Sequence, residues 1–444
     1  MSKTERKIAV VLIHGIGDQQ PLATLRSFVE SILEPNNPDK AKALYWSKPD
    51  AVSGSFDLRR FQCAARNDNG LRHPPIDFYE YYWAHRMEGT VLDHTVQWLN
   101  MLLFRRPSSV PSILRQLWWL CWVSLIATTT VIAVLASDKP LATLGVLATL
   151  TVGGARLVAD RALRDWVGDA ARYFSSRPAN IAVRESIRRG GVDLLEGLHT
   201  TGDYQRIIVI GHSLGSAIAL DILHHHWTLA REKHARPDRP RGDAVAKLEA
   251  ALKNGEPIDI QELRSLQKQV WSELRENGVP WRVSDLITLG SPLTHFPFLV
   301  GLDENAFKSR VVQREIPSAP PVLDGKGIVY WSRYLKEDGQ QRSIGVLHHA
   351  ACFAATRWTN IYFPHRGLFK GDPVGGPLAS LFGSAIEDIE VATKRWHGRL
   401  NHLDYWRDDP RDTDPATRPR DALIGAMAFS EAFRKPGAGN HKPK

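Results

Sequence analysis

The stretch that most restricts what this 444-residue chain can fold into is Ile207-Ile208-Val209-Ile210-Gly211-His212-Ser213-Leu214-Gly215. A run of β-branched residues without a polar break predicts a strand buried on both faces. It passes directly into a G-x-S-x-G pentapeptide and then into Ser216-Ala217-Ile218-Ala219-Leu220-Asp221-Ile222-Leu223, apolar at helical spacing and free of Gly and Pro. A sharp turn at Ser213 would lift its hydroxyl clear of the backbone. Gly211 and Gly215 keep side chains from colliding where the chain doubles back. Strand, turn and helix in one contiguous stretch make Ser213 a candidate nucleophile.

A serine hydroxyl is a poor nucleophile at its own pKa. It needs a base, a group that orients the base, and N–H donors for a developing oxyanion. Near the N-terminus, Ile8-Ala9-Val10-Val11-Leu12-Ile13 reads as a second buried strand and ends in His14-Gly15-Ile16-Gly17-Asp18. A dinucleotide fingerprint is excluded there, because G-x-G-x-x-G requires glycine where Gln20 stands. Downstream, Asp285 to Leu289 predicts a strand closed by Gly290-Ser291-Pro292. Arg357-Trp358-Thr359-Asn360-Ile361-Tyr362-Phe363 predicts another, leading through a Gly/Pro-rich loop to Gly371-Asp372-Pro373. His402 follows in His402-Leu403-Asp404-Tyr405-Trp406, with room for one helix, such as Leu378 to Trp396, in between.

Taken together, these motifs resemble the α/β-hydrolase superfamily, serine lipase/esterase type. The resemblance implies an α/β fold, a mostly parallel sheet flanked by helices, with a triad in the chain order nucleophile, acid, histidine. On this chain those positions are Ser213, Asp372 and His402. The oxyanion hole would be the backbone N–H groups of Leu214 and Ile16. The implied activity is cleavage of a carboxylic ester, of a lipid or another hydrophobic acyl compound, through an acyl-enzyme on Ser213 and without a cofactor. The same triad serves thioesterases and acyltransferases, and a membrane-tethered scaffold with an inactive core is the alternative of a different class. With 17 histidines in the chain, His365 and His397 remain open as bases, and Asp303 and Asp404 as acids. His212 reads as a hydrogen-bonded core histidine. His224, His225 and His226 are adjacent on one helix and so point in different directions. With no H-E-x-x-H and no paired C-x-x-C, no metal site is expected.

A second apolar feature interrupts this plan. Leu117 to Ala136 carries no charge over about the 20 residues that a bilayer crossing needs. Ser137-Asp138-Lys139-Pro140 breaks the run, and Leu141 to Ala155 is apolar again, reaching span length only if it continues to Ala159. Trp118, Trp119 and Trp122 cluster where indoles favour headgroups. Arg105, Arg106 and Arg115 on one side and Arg156, Arg161, Arg164 and Arg172 on the other predict both flanks on the cytoplasmic side. The expectation is a multi-pass membrane protein of two spans with its catalytic domain cytoplasmic, and a buried hairpin or lid is the alternative. The N-terminus lacks a signal-peptide core.

The expected organisation is one hydrolase domain with insertions. Its N-terminal part is 1–104, the transmembrane hairpin 105–165, the nucleophile-elbow part 166–229, a charged helical insertion 230–280, the C-terminal part 281–430, and a disordered basic tail 431–444. Three cysteines cannot build a disulfide framework. Much of the excess behind the net charge of +9 borders the apolar hairpin, and no nucleic-acid-binding motif accompanies it. Anionic membrane lipids and a hydrophobic acyl ester are the expected partners, and nucleic acid is not.

Overall fold

The computed structural model describes residues 7–16, 20–33, 41–53, 57–68, 71–87, 103–135, 173–175, 178–201, 203–233, 243–253, 258–325, 327–337, 340–365, 371–394, 401–407, 409 and 411–429. Its strands are β1 (Lys7–Ile13), β2 (Tyr45–Pro49), β3 (Arg59–Cys63), β4 (Arg66–Asp68), β5 (Leu71–His73), β6 (Ile76–Tyr81), β7 (Tyr204–His212), β8 (Val283–Leu289), β9 (Val329–Glu337), β10 (Gln340–Leu347), β11 (Arg357–Tyr362) and β12 (Ile386–Glu390). Eight of them form one sheet in the order β12-β11-β8-β7-β1-β6-β3-β2. From β12 to β6 the neighbours pair parallel, and β3 and β2 extend the sheet antiparallel. The chain is therefore an α/β protein with a mostly parallel sheet, as its buried-type strands lead one to expect.

Strand periodicity sorts the core into two layers. Ala9, Val11, Ile13, Ile207 and Val209 pack on one face with Ile187, Leu194 and Leu198 of helix Pro178–Thr200 and with Ala217, Ile218 and Ile222 of helix Leu214–Lys233. Ile8, Val10, Leu12, Ile208, Ile210 and Leu289 pack on the other with Phe28 and Val29 of helix Ala23–Leu33 and with Leu423 and Met427 of helix Pro419–Met427. Both faces of β1 and β7 are thus covered, which is why their sequences are apolar throughout rather than alternating. The charged insertion forms helices Asp243–Lys253 and Ile260–Glu276, with Leu248, Leu263 and Val270 buried. Arg264 ties the second of them to the sheet through an ion pair with Glu387 (2.7 Å) and a hydrogen bond to Thr359 (2.7 Å).

One expectation is corrected between the loop of Asp372 and His402. Instead of a helix over Leu378 to Trp396 the chain makes one turn, Ala379–Phe382, and then strand β12. Gly383 adopts φ +117°, a backbone that side-chain-bearing residues rarely take, and an added Cβ would lie 2.3 Å from the Ala319 carbonyl. The helix stops there, and Ile386 and Ile389 of Ile386–Glu390 pair along β11.

The first apolar run forms helix Ser112–Leu135. Trp118 is buried against the domain core, and Trp122 donates its indole N–H to the Leu103 carbonyl (3.1 Å). Trp119, Val123, Leu125 and Ile126 are exposed. Among the described residues no helix is long and apolar enough to cross a membrane. The second apolar run, His397 and the basic tail lie outside the described residues.

Candidate active site

The parallel strands all point one way, so the segments following β1, β7, β8 and β11 gather at one edge of the sheet. This is where open α/β sheets place their sites. Ser213 leaves β7 with φ +54°, a left-handed conformation that costs a non-glycine residue about 1 kcal/mol or more. Its N–H is held by the Leu289 carbonyl at the end of β8 (2.9 Å). Its own carbonyl accepts the Ser216 N–H (2.9 Å) and the Ser216 hydroxyl (2.5 Å). The flanking glycines are required by space. A Cβ on Gly211 would lie 2.4 Å from the Ser216 Cα, and one on Gly215 would lie 2.2 Å from the Ile13 carbonyl oxygen. Gly215→Ala is accordingly expected to destabilise the protein by about 2–3 kcal/mol or more, read as a lowered urea midpoint, because rigid backbone and no flexible side chain fills that space.

Asp372 and His402, which belong to separate loops, meet. The His402 Nδ1–H donates to Asp372 Oδ2 at 2.8 Å, and both side chains are buried. The Tyr405 hydroxyl donates to the same carboxylate oxygen (2.7 Å), and the Val374 N–H to the other (2.9 Å). Burial alone would raise the Asp372 pKa. The His402 ring beside it and these three donors outweigh burial and hold the carboxyl at about 2. An ionised Asp372 keeps the proton of a neutral imidazole on Nδ1, leaving Nε2 as the basic nitrogen. The carboxylate is seated against bare backbone. A Cβ on Gly290, which has φ +55°, would lie 2.7 Å from Asp372 Oδ2.

His212 links this pair to the elbow. A carbonyl can only accept, so the His212 Nε2–H donates to the His402 carbonyl (2.8 Å), and the two rings lie 5.0 Å apart. Burial, with His402 adding to it, pushes the His212 imidazole down to about 3, so it stays neutral as a core histidine and is unsuited to be the base. His402 is thus fastened to the residue immediately before Ser213.

The loop after β1 lies on the nucleophile, since a Cβ on Gly15 would come 2.8 Å from the Ser213 Cβ. Ile16 follows Gly15 in this loop. Leu214 is the first residue of its helix, where backbone N–H groups have no carbonyl one turn earlier to bond. The rival acids are occupied elsewhere. Asp303 caps helix Glu304–Val312 through the Ala306 N–H (2.7 Å), and Asp404 accepts from Asn401. The sequence reading missed Tyr405 as a partner of the acid. Its signal was a hydroxyl-bearing aromatic three residues after His402, which reads equally well as core. Among the described residues no cluster of His, Cys, Asp and Glu could hold a metal ion. The chain matches no family model, no curated protein and no solved structure, so the geometry alone carries the interpretation of this site.

Proposed function

We propose that this protein is a serine hydrolase of the α/β-hydrolase type, which cleaves a carboxylic ester of a lipid or another hydrophobic acyl compound through an acyl-enzyme on Ser213. The observation that carries this reading is the buried His402–Asp372 pair, fastened through His212 to a serine held in left-handed conformation between strand and helix. In this reading Ser213 Oγ attacks the acyl carbonyl while His402 Nε2 takes its proton. The proton is returned to the departing alkoxide, and water then repeats the sequence to release the acid. Asp372, steadied by Tyr405, holds the imidazole in the required tautomer and stabilises the imidazolium. The N–H groups of Leu214 and Ile16 receive the oxyanion. Labelling with a fluorophosphonate, followed by a chain-length series of acyl esters, tests the activity. A protein that takes up no label at Ser213 and turns over no ester would sink the proposal.

We further propose that the protein works at a membrane, held there by the inserted segment 105–165 as a hairpin, with the catalytic domain on the cytoplasmic side. Support comes from helix Ser112–Leu135, on which Trp119, Val123, Leu125 and Ile126 are exposed. Thr129 and Thr130 turn their hydroxyls onto the carbonyls one turn back, at 2.8 Å each, which suits an apolar medium. The arginines Arg105, Arg106 and Arg115 at the base of the helix suit anionic headgroups. The protein is expected to resist carbonate extraction from membranes. Quantitative release would leave the helix as a lid or hairpin on the domain.

A further inference from the structure

We propose that the segment Glu80–Trp83, at the end of β6, is a two-point clamp that sets the position of the oxyanion loop. Trp83 and Glu80 then act as positioning residues of the hydrolytic centre. This inference rests on the reading of Ser213 as a nucleophile and adds to it the device that fixes one of its oxyanion donors.

The loop in question leaves β1 at His14 and enters helix Ala23–Leu33 after Leu22. Its near end is held by Trp83. The indole N–H donates to the His14 carbonyl (2.9 Å), the Trp83 backbone N–H donates to His14 Nε2 (3.3 Å), and the two rings stack at 5.0 Å with 8° between their planes. His14 Nδ1 lies 2.8 Å from the Gly15 carbonyl, so Nδ1 carries the proton and Nε2 is the acceptor that the Trp83 N–H requires. Burial pushes the His14 imidazole down to about 4, which keeps it in this neutral form. The far end is held by Glu80, a buried carboxyl on β6 opposite Leu12 of β1, which accepts the Leu22 N–H at 2.5 Å. Leu22 has φ +67°, a conformation that a leucine adopts only where its surroundings hold it.

One short segment therefore holds the described residues at both ends of this loop, and at the near end Gly15 sits on the nucleophile, where an added Cβ would come 2.8 Å from the Ser213 Cβ. A shift of either grip moves the Ile16 N–H relative to the oxyanion, and misplacement by about 1 Å costs on the order of 100-fold in rate. The charge on Glu80 is not what the grip requires. Burial pushes its carboxyl up to about 7, against the pull of the Leu22 and Leu25 N–H groups, so a neutral acceptor fits the same place.

The test uses the full chain with p-nitrophenyl butyrate as substrate and a fluorophosphonate as a probe that also needs the oxyanion hole. Trp83→Phe keeps the ring on His14 and removes the indole donor, and Glu80→Ala removes the acceptor. Each is expected to lower kcat by roughly 10- to 100-fold with KM nearly unchanged, and to slow phosphonylation of Ser213 by a similar factor. Glu80→Gln, which still offers a carbonyl oxygen to the Leu22 N–H, is expected to recover most of the loss. A purely structural role would lower the melting temperature of both variants while leaving kcat of the folded protein intact, and that result overturns the clamp. Should Glu80→Ala fail to fold, Trp83→Phe against wild type decides alone. A wild-type protein that neither labels nor turns over ester defeats the hydrolase reading itself, and the clamp with it.

Discussion

Ser213→Ala is expected to abolish turnover of acyl esters, by about 10⁶-fold in kcat, and to remove fluorophosphonate labelling while leaving the protein folded. The size of the loss follows from the covalent route. Without an oxygen to carry the acyl group, the remaining site can only bind ester and polarise its carbonyl, which is worth a residual of about 10³–10⁴ over water. The fold is spared because the replaced atom belongs to none of the bonds that make the elbow. The turn is held by main-chain groups, the Ser213 N–H to Leu289 and the Ser213 carbonyl to Ser216, and these remain. Alanine in the left-handed region carries a strain similar to that of serine, so the change in urea midpoint should be small. Residual turnover above a few per cent of wild type, in a preparation free of contaminating esterases, would remove Ser213 from the mechanism.

The elbow was legible in the sequence for the same reason that it is rigid. Three requirements, a strand buried on both faces, glycines two places either side of the serine and an uninterrupted apolar helix, fall within one short stretch, so no long-range information is needed to read them. Asp372 and His402 were named from the order of motifs, and the contact between them was expected only from the resemblance, not from the residues around either one. It depends on β11 lying beside β8 and on the bare backbone of Gly290 facing the carboxylate. The helix expected after Leu378 failed because its composition permitted one, while the stop at Gly383 is imposed by a neighbour, the Ala319 carbonyl, distant in sequence. Tyr405 and Glu80 escaped notice for a related reason. A tyrosine in an apolar stretch and a glutamate in a strand are ordinary until the partner is seen, and for Glu80 that partner is the Leu22 N–H, 58 residues earlier. What pattern reading captures is local periodicity and steric need; what it cannot capture is which polar group a fold brings opposite another.

His402→Ala is expected to cost about 10⁶-fold in kcat, close to the loss from removing the nucleophile, because serine and base act as one unit. Asp372→Asn should cost less, on the order of 10⁴-fold. The amide can present its NH₂ to Nδ1 and so favour the tautomer with the proton on Nε2, which cannot accept from Ser213. The two changes should part further on acidification. The Asp372 carboxyl is held at about 2 in the folded protein against an ordinary value of 3.8. Its depressed pKa therefore contributes stability that is present above about pH 4 and lost as pH falls through 2. The shift corresponds to about 2 kcal/mol of unfolding free energy. Asp372→Asn lacks this term, so urea midpoints of wild type and variant should converge as pH is lowered from 5 towards 2, whereas His402→Ala, which keeps a carboxylate bonded to Tyr405 and the Val374 N–H, should retain part of the acid dependence. Tyr405→Phe gives the intermediate case: it removes one of the donors on the oxygen that His402 uses, and should lower kcat by roughly tenfold while weakening the same acid dependence. If Asp372→Asn left kcat unchanged and Asp404→Asn abolished it, the carboxylate now seen on the imidazole would have to be reassigned, with Ser213 and His402 standing as before.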